Sequence, residues 1–577
     1  MRTPVIVFLI ALVGLFCCFN TLYAQDVEAI LKAKSKPIKI SGGVGTDQVF
    51  YHAQGLPDRR NAPYQYYFNG NVNIQVLKEF NIPITFSFSN QQFNYSQPLN
   101  QQSFNQFGIS PRYKWATAHI GWRSMTFSPY SLNGHTFLGA GLELTPGKFN
   151  ISAMYGRLLK AVEYDSTGIA SGNRPSFLRK GMGLSVKYED DGNQYGVHLF
   201  RSNDEAASLN NSLDSIGVTP EENLVWGLNL KQKLGMKFKF EGEFANSIIT
   251  KDSRYSDDQK VRVFGAIHEN TTTVDYNAYK AKLSYQLGKA TIGVGYERVA
   301  PGYRTHGAYY FNNDLESITA NFARPFFNNK VNFAFNIGKQ RNNLDKSKLS
   351  TMQRWVGSAN LNWQATEKLN LGVNYSNFQT YTNIRSQFQT INNSPYQLID
   401  TLNYVQVSQS LNLNANYILT SNEKTQQHVM FNGSAQKTTD EQGGKRLETG
   451  SVFYNVSLAY AYTIVPMALS FNLAGNGNWN QSTISDNKVF GPTVGISKGL
   501  FKKQLITNLS YSWNTTLNDE VSSGYIGSLR FINTLNIKKK HNLTLSVIWL
   551  NRESISATTG SSTFNEYTGR IGYNYRF

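Results

Sequence analysis

Charged side chains recur at every second position in one stretch of this 577-residue sequence, separated by apolar or small residues: Lys237, Lys239, Glu241 and Glu243. Alternate positions lie on one face of a β-strand. The same alternation places three lysines of the neighbouring predicted strands on that face: Lys231, Lys280 and Lys282. Cations grouped along a water-filled passage would attract anions. The alternative is a solvated wall in which lysines pair with nearby acids, for example Lys239 with Glu241 or Glu243.

Five more basic residues fall on the polar faces of other predicted strands: His119, Arg123, Arg530, Arg570 and Arg576. The eight histidines of the chain are scattered, and none has the spacing of a nucleophile, base and acid or of a site with paired acids. The sequence shows no cluster of metal ligands. Its glycines recur inside strands rather than in loops that could cradle phosphate. We therefore predict a protein that is not an enzyme and holds no cofactor or metal.

The segments that carry these residues alternate with a period of two, over about ten to fourteen residues each. In residues 331–338, Val, Phe and Ile alternate with Asn, Ala and Gly, and residues 369–376 and 542–549 repeat the pattern. Soluble sandwiches also alternate, but they bury apolar rows and expose charged ones. Here the polar face is mostly Asn, Ser, Thr and Gly, and the apolar rows end in aromatic residues. This pattern indicates lipid on one side and water on the other.

Strands in a bilayer must close into a barrel, because an open edge would leave unpaired backbone groups in hydrocarbon. Read backwards from Phe577, short breaks such as those near Lys539 and Leu500 alternate with long ones such as 553–563 and 516–523. Transmembrane barrels have short periplasmic turns and longer extracellular loops. The sequence therefore predicts an all-β, antiparallel, up-and-down transmembrane barrel of about 26 strands, within a range of about 24–28. Both termini are expected on the periplasmic side.

The beginning of the chain predicts export. Residues 1–24 have a charged end at Arg2, an apolar core and a small residue at the end, as a signal peptide does. We expect residues 25–36 to form a periplasmic segment and residues 37–577 to form the barrel. Both cysteines, Cys17 and Cys18, lie in the signal segment, so the exported chain has no disulfide or thiolate metal site.

The chain is basic, with a formal net charge of +18 that becomes about +17 once Arg2 is removed with the signal segment. Such a balance can indicate nucleic acid, an anionic membrane surface or a passage that attracts anions. Export argues against nucleic acid as a partner. The membrane surface and the passage both stay open as explanations.

The chain ends in a row of Ile571, Tyr573, Tyr575 and Phe577, alternating with polar residues. With the signal segment and the pattern of turns, this ending makes the chain resemble large Gram-negative outer-membrane barrels, and its Asn- and Tyr-rich texture is similar to those of Bacteroidota. The resemblance implies outer-membrane lipid as the surroundings. It also implies that the barrel assembly machinery recognises Tyr573, Tyr575 and Phe577.

Two large-barrel families resemble the chain only in part. TonB-dependent transporters have a similar barrel size, but they carry a globular plug domain for which residues 25–36 are too few. The lipopolysaccharide translocon has a similar number of strands, but it adds a soluble periplasmic domain. We therefore expect an outer-membrane barrel without a plug domain.

About 26 tilted strands would enclose a passage roughly 50 Å across. An open hole of that width would ruin the permeability barrier. The barrel is therefore flattened, or loops such as 248–276 and 203–222 fold inward, or a partner protein fills it. The expected function is an outer-membrane channel or uptake barrel for solutes, with a bias toward anions. The alternative is a non-enzymatic scaffold subunit of a multi-protein outer-membrane complex.

Overall fold

A computed structural model describes residues 38–577, except for short stretches within that range. The stretches left out are 56–60, 78, 91–104, 165–174, 212, 215–216, 256–259, 263–266, 310–311, 348–350, 352, 378–379, 385–401, 439–440, 443–444, 447–449, 483–484 and 557–559. The signal segment and the segment 25–36 lie outside the described residues. In the part of the chain that is described, no helix is long and apolar enough to cross a membrane.

The barrel consists of twenty-six antiparallel strands, of which β4 and β17 are each interrupted once. In chain order they are β1 Ile38–Gln54, β2 Tyr64–Val76, β3 Phe80–Ser89, β4 Gln106–Ile109 with Arg112–Tyr113, β5 Ala116–Thr126, β6 Asn133–Leu144, β7 Phe149–Leu159, β8 Leu178–Asp190, β9 Asn193–Glu205, β10 Glu222–Leu234, β11 Phe238–Thr250, β12 Thr273–Leu287, β13 Ala290–Val299, β14 Leu315–Phe326, β15 Val331–Arg341, β16 Gln353–Gln364, β17 Leu369–Ser376 with Thr380–Ile384, β18 Leu402–Ser421, β19 Thr425–Thr438, β20 Ser451–Ile464, β21 Leu469–Ser482, β22 Asp486–Leu500, β23 Leu505–Asn518, β24 Val521–Ile537, β25 His541–Ser556 and β26 Gly560–Arg576. Two small hairpins lie in loops: Lys260–Arg262 with Ile267–Glu269, and Glu441–Gln442 with Lys445–Arg446.

The sheet closes where β1 pairs with β26, in a register that runs from Gly43 opposite Arg576 to Gln54 opposite Asn565. Beyond that register, Gly42 and Phe577 exchange two backbone hydrogen bonds of 3.1 Å each. Gly42 has a φ of +150°, and a Cβ there would lie 2.1 Å from the carbonyl oxygen of Asn71, so only glycine fits. The predicted closed barrel of about 26 strands is confirmed.

The outer surface of the barrel is apolar. On β16, for example, Trp355 and Trp363 belong to one row, and the Trp355 side chain is 68% exposed. The opposite row of the same strand carries Ser358, Asn360 and Asn362. Rows of exposed Phe, Leu, Val, Tyr and Trp recur on the outward parity of nearly every strand, which fits a surface covered by lipid. The polar rows therefore face the lumen.

The connections between strands are short at one rim and mostly longer at the other. Twelve connections at the rim that carries Ile38 and Phe577 have two to four residues, whereas the longest at the opposite rim spans 251–272. In transmembrane barrels the short turns face the periplasm, so we name the two rims periplasmic and extracellular. The predicted long breaks at 516–523 and 553–563 are wrong. The first is the two-residue turn Asp519–Glu520 at the extracellular rim, where both residues have positive φ; at the second, β25 runs to Ser556 and β26 begins at Gly560.

Candidate functional site

The lumenal face of β8–β13 carries a charged wall, which strand register arranges in rows. Lys231 on β10 lies opposite Glu241 on β11, and Glu241 lies opposite Lys282 on β12. In the next row Glu243 lies opposite Lys280, which in turn lies opposite Glu297 of β13. Directly opposed side chains on one face are near enough to interact. The lysines and glutamates on the described residues of the wall are Lys187, Lys231, Lys233, Lys239, Lys280 and Lys282 with Glu189, Glu241, Glu243 and Glu297, and the paired Arg179 and Asp204 lie on the same rows nearer the extracellular rim.

Pairing neutralises the charged wall only in part. Lys239 Nζ lies 2.5 Å from Glu241 Oε1, and Lys280 Nζ lies 4.0 Å from Glu297 Oε2. Lys231 and Lys282 flank Glu241 on either side, although Glu241 is already bound by Lys239. The wall therefore carries more cations than acids at this height.

The other predicted lumenal residues do not join the charged wall. Lys237, predicted on the same strand face as Lys239, lies in the turn between β10 and β11, because β11 begins at Phe238. Arg123 on β5 donates to Thr85 Oγ1 at 2.8 Å. Arg570 pairs with Asp47 across the β1–β26 seam, Nη2 to Oδ1 2.6 Å. Arg530 on β24 and Arg576 at the periplasmic rim lie on separate parts of the wall. The predicted cations therefore form no single ring.

Two extracellular loops fold into the barrel and form what we call the inner plug, residues 127–132 and 300–309. Asn133 N donates to Gly307 O at 2.8 Å, and Thr305 Oγ1 donates to Ser131 O at 3.0 Å, which ties the two loops together. The plug also reaches the charged wall, because Ser128 Oγ donates to Glu243 and Tyr130 OH donates to Glu297 at 2.6 Å. The plug thus extends to the row of Glu243 on the wall.

A hydrophobic cluster lies beneath the inner plug. Tyr303 is 0% exposed, donates its hydroxyl to Tyr130 O at 2.7 Å, and packs with lumenal side chains of several strands. Those lumenal side chains are Met125, Phe137, Met154, Leu158, Phe200, Val225, Ala245, Ala278 and Val299. Apolar residues on lumenal rows would be unfavourable in open water, so their burial stabilises the inward position of the loops. This cluster was not predicted from the sequence.

The loops 248–276 and 203–222, whose inward fold was one of three possibilities for narrowing the lumen, bind each other at the extracellular rim. Arg254 pairs with Asp214, Nη2 to Oδ1 2.7 Å, and Thr219 Oγ1 donates to Lys251 O at 2.6 Å. Ile267 packs on Leu224 and Ile248, which belong to outward rows. Of the three possibilities, the inward fold is therefore made by other loops. Two residues of these loops that do contact the plug are Glu221, through ion pairs, and Tyr276, which packs on the hydrophobic cluster.

Glu221 is the centre of an ionic latch that holds the plug. His306 Nε2 lies 3.1 Å from Glu221 Oε2, Arg304 also donates to Glu221, and Arg179 Nη2 donates to it at 3.4 Å. Arg179 also binds Asp204 in a bidentate pair of 2.7 and 2.8 Å. The latch therefore joins the plug residues Arg304 and His306 to the wall.

Burial and the charge of Arg179 lower the pKa of His306 to about 4. Burial alone would raise the pKa of Glu221, but the hydrogen bond from His306 and the charges of Arg304 and Arg179 outweigh it, and the pKa falls to about 2. The docked plug therefore favours neutral His306 and ionised Glu221. Ser202 Oγ lies 2.8 Å from His306 Nδ1, which fits a hydroxyl donating to Nδ1 while Nε2–H donates to Glu221.

Acid is expected to loosen the plug. His306 has an ordinary pKa near 6.5, so the stability that comes from keeping it neutral is complete above that pH and is lost as the pH falls toward 4. The loss is at most about 3 kcal/mol. Glu221 adds to this loss only below its ordinary pKa, because its lowered pKa stabilises the docked plug above that pH, so the window between 6.5 and 4.5 reports His306. Amide hydrogen exchange of residues 300–309, corrected for intrinsic rates, should become faster as the pH is lowered from 6.5 to 4.5. In the variant His306→Gln, whose side chain does not titrate, the corrected exchange rate should stay constant over this range.

A second part of the wall, formed by β17–β21, is almost free of charge. Strands β17–β21 contain one charged residue, Lys437, and their lumenal rows are mostly Asn and Ser. Register aligns Asn414 with Asn432, and Asn432 with Ser457. Neighbouring amides bond to one another, as Asn455 Nδ2 does to Asn478 Oδ1 at 2.8 Å. We call this face the amide wall. It offers both donors and acceptors to polar solutes.

Positive charge is concentrated at the periplasmic rim. Nine of the twelve short turns carry lysine among their described residues, and we call this set the lysine ring. The ring consists of Lys114, Lys148, Lys237, Lys289, Lys330, Lys368, Lys424, Lys502, Lys503, Lys538, Lys539 and Lys540. The acids of the same turns are Glu79, Asp191, Glu367 and Glu423. Much of the excess charge of the chain therefore lies at this rim and not in the lumen.

Within the described ranges, no group of three or more His, Cys, Asp and Glu side chains is arranged to hold a metal ion. A closed barrel with an apolar exterior and polar interior rows defines the chain as an outer-membrane β-barrel.

No protein-family model matches the sequence, and no curated protein matches it. Among solved structures, the chain is similar to the ferric preacinetobactin receptor of Acinetobacter baumannii, at 11% identity and a TM-score of 0.34, over 93% of this chain and 81% of that one. It is similar to the translocation pore of the P pilus usher, at 10% identity and a TM-score of 0.40, over 94% and 99%. An anion-selective porin of Comamonas acidovorans has 10% identity and a TM-score of 0.27, over 62% and 100%. These likenesses are too distant to assign an activity.

Proposed function

We propose that this barrel is a channel through which polar solutes cross the outer membrane, narrowed by the inner plug. The observation that carries the proposal is the organisation of the lumen, which is lined by a charged wall on β8–β13 and by an amide wall on β17–β21. The plug occupies the extracellular part of the lumen and binds Glu243 and Glu297 of the charged wall. A passage that would be roughly 50 Å wide if it were empty is thereby reduced.

The charged wall supports a bias of this channel toward anions. Its six lysines outnumber its four glutamates, and Lys231 and Lys282 flank one acid that Lys239 already binds. Rings or rows of cations raise the local concentration of anions at a constriction.

The test is reconstitution of the purified barrel in planar bilayers. We expect discrete conductance steps, and a reversal potential in a salt gradient that shows a preference for chloride over potassium. Silence at all voltages, from protein that is demonstrably folded and inserted, would contradict the channel. Steps without ion preference would contradict the anion bias alone.

The competing function is a scaffold subunit of an outer-membrane complex, in which a partner protein occupies the lumen. The observation that favours it is that the plug, bound to Glu243 and Glu297, already fills part of the lumen. The scaffold function would be supported if the reconstituted barrel shows no conductance and a stoichiometric partner co-purifies with it from native membranes.

We further propose that residues 1–24 direct export and that the assembly machinery reads Tyr573, Tyr575 and Phe577. The support for the assembly signal is that Tyr573, Tyr575 and Phe577 lie at the end of β26, the strand that closes the barrel by pairing with β1. The Tyr575 and Phe577 rings lie 5.6 Å apart, and His541 Nδ1 lies 2.8 Å from the Tyr573 hydroxyl.

A further inference from the structure

A cavity of about 550 Å³ lies on the lumenal side of β14–β18, where the charged wall gives way to the amide wall. Its polar lining belongs to two rows of the strand register. In one row two asparagines are followed by three serines, from Asn321 on β14 to Ser410 on β18. In the next row two alanines are followed by three asparagines, from Ala323 to Asn412. The lumenal row of β16, which carries Asn360, contributes to both, so the cavity opens to the lumen.

A single cation stands at one end of this cavity. Lys282 on β12 lines it, although β13 lies between β12 and β14. The register partner of Lys282 on β13 is Gly295, which has no side chain, so Lys282 can extend across β13 toward the amides. Lys282 also flanks Glu241, but Lys239 already binds that acid. None of the fifteen lining residues is an acid, so the charge of Lys282 is available to a negative group in the cavity.

The rest of the cavity offers neutral donors and acceptors. Asn362 Nδ2 donates to Asn360 Oδ1 at 2.9 Å, and Asn360 in turn donates to Asn374. An amide has two N–H donors and an oxygen with two acceptor positions, so each of these bonds leaves both kinds of group for a solute. The serine hydroxyls of the other row also donate and accept. An inorganic anion only accepts, whereas the hydroxyl groups of a sugar pair with both.

The size and position of the cavity suit a solute larger than a simple ion. The two rows extend over five strands, which is about 19 Å at the spacing of neighbouring strands. Ala323 and Ala334 leave a recess near the end that Lys282 approaches. Lys282 lies in the row of Glu241, on the periplasmic side of the row of Glu243 that the inner plug binds. A solute that has passed the plug would therefore meet this cavity.

We propose that this cavity binds a sugar that carries one negatively charged group, a carboxylate or a phosphate. Lys282 holds the charged group, and Asn360, Asn374 and Asn412 form hydrogen bonds with the hydroxyl groups of the sugar. The inference rests on the proposed channel, and it narrows the solutes of that channel from polar anions to acidic sugars.

The test is isothermal titration calorimetry of the folded barrel, in a detergent whose headgroup is not a sugar. Glucuronate and glucose 6-phosphate are the probes, and glucose and acetate supply the hydroxyl groups and the charge separately. We expect an acidic sugar to bind more tightly than glucose or acetate, and the tighter of the two probes identifies the charged group. Lys282→Gln should weaken the acidic sugar about fivefold and leave glucose unchanged. Asn360→Ala/Asn374→Ala/Asn412→Ala should weaken both about tenfold.

The matched control is Asn432→Ala/Asn472→Ala/Asn508→Ala, which removes three amides from lumenal rows outside the cavity. We expect it to bind like the wild type. If the triple variant at the site fails to fold, Ala334→Tyr, which fills the recess and keeps every amide, should weaken binding in its place.

Equal losses in the site and control variants would overturn this location. Acetate that binds as tightly as the acidic sugars would overturn the role of the hydroxyl groups, and glucose that does so would overturn the role of Lys282. The calorimetry does not require conduction, so the two proposals fail separately. A barrel that conducts but binds neither acidic sugar would overturn the site alone, whereas a barrel that binds one of them but is silent in bilayers would overturn the channel alone.

Discussion

Replacing Glu221 by alanine is expected to release the inner plug and to raise the single-channel conductance several-fold. Glu221 accepts from His306, Arg304 and Arg179, so its removal leaves a buried cation and a buried imidazole without their shared acceptor. Breaking a buried ion pair from one side costs about 3–5 kcal/mol. Since Arg304 is partly exposed, we take the lower end, which still shifts the docking equilibrium by more than about a hundredfold.

The measurement is planar-bilayer recording of wild type and Glu221→Ala, with a loop variant in which two glycines replace residues 302–308 as the reference for an open plug. The control is Glu205→Ala, which breaks the exposed pair with Lys180 on an outward row. That pair contributes less than about 1 kcal/mol, so conductance should stay at the wild-type value. If Glu221→Ala also conducts like wild type while the loop variant conducts more, the latch does not hold the plug.

The barrel wall could be predicted from the sequence because its rule is local. A strand between lipid and water must alternate, so Val331–Arg341 shows its outward and lumenal rows without reference to any partner strand. Connection length then orders the strands, and closure follows because a bilayer tolerates no open edge. The error at 516–523 has a local cause. Its Asn, Asp and Ser residues resemble a long loop, but Asp519 and Glu520 adopt the positive φ of a tight hairpin.

The inner plug could not be predicted in the same way, because its contacts are distant in sequence. Tyr303 meets Tyr130, which lies 173 residues earlier, and His306 meets Glu221. One local signal was present. Phe137 and Phe200 occupy lumenal rows that should be polar, and an apolar lumenal residue indicates that something covers it.

The net charge of the chain also has a different distribution from the one expected. The sequence alone leaves two explanations for the basic balance, a membrane surface and a passage for anions. The charged wall contributes a small excess of cations, whereas the lysine ring contributes twelve lysines against four acids. An alternating pattern does not distinguish a lysine in a turn from one on a strand. It therefore places Lys237 on a strand, although Lys237 lies in a turn.

Reversing two charges on the wall is expected to reverse the ion preference of the channel. Lys231→Glu/Lys282→Glu changes the row with Glu241 from two cations and one acid to three acids. A unit charge about 8 Å from a permeating ion contributes about 0.5 kcal/mol in water, and 0.1 M salt roughly halves it. The charge of the row changes by four units, which disfavours an anion by about 1 kcal/mol and favours a cation by about 1 kcal/mol. The ratio of chloride to potassium permeability should therefore fall by at least about tenfold.

Reversal potentials in a potassium chloride gradient measure this ratio directly. Lys339→Glu/Lys437→Glu changes the same number of charges on outward rows near the extracellular rim, so it tests whether total charge is sufficient. We expect that variant to keep the wild-type preference, because the wall lies between its new acids and the ions. Since screening weakens surface charges with salt, the effect of the lumenal variant should shrink from 0.1 M to 1 M. An unchanged ratio in the lumenal variant, with normal conductance, would mean that ions pass along the amide wall and that the charged wall does not set selectivity.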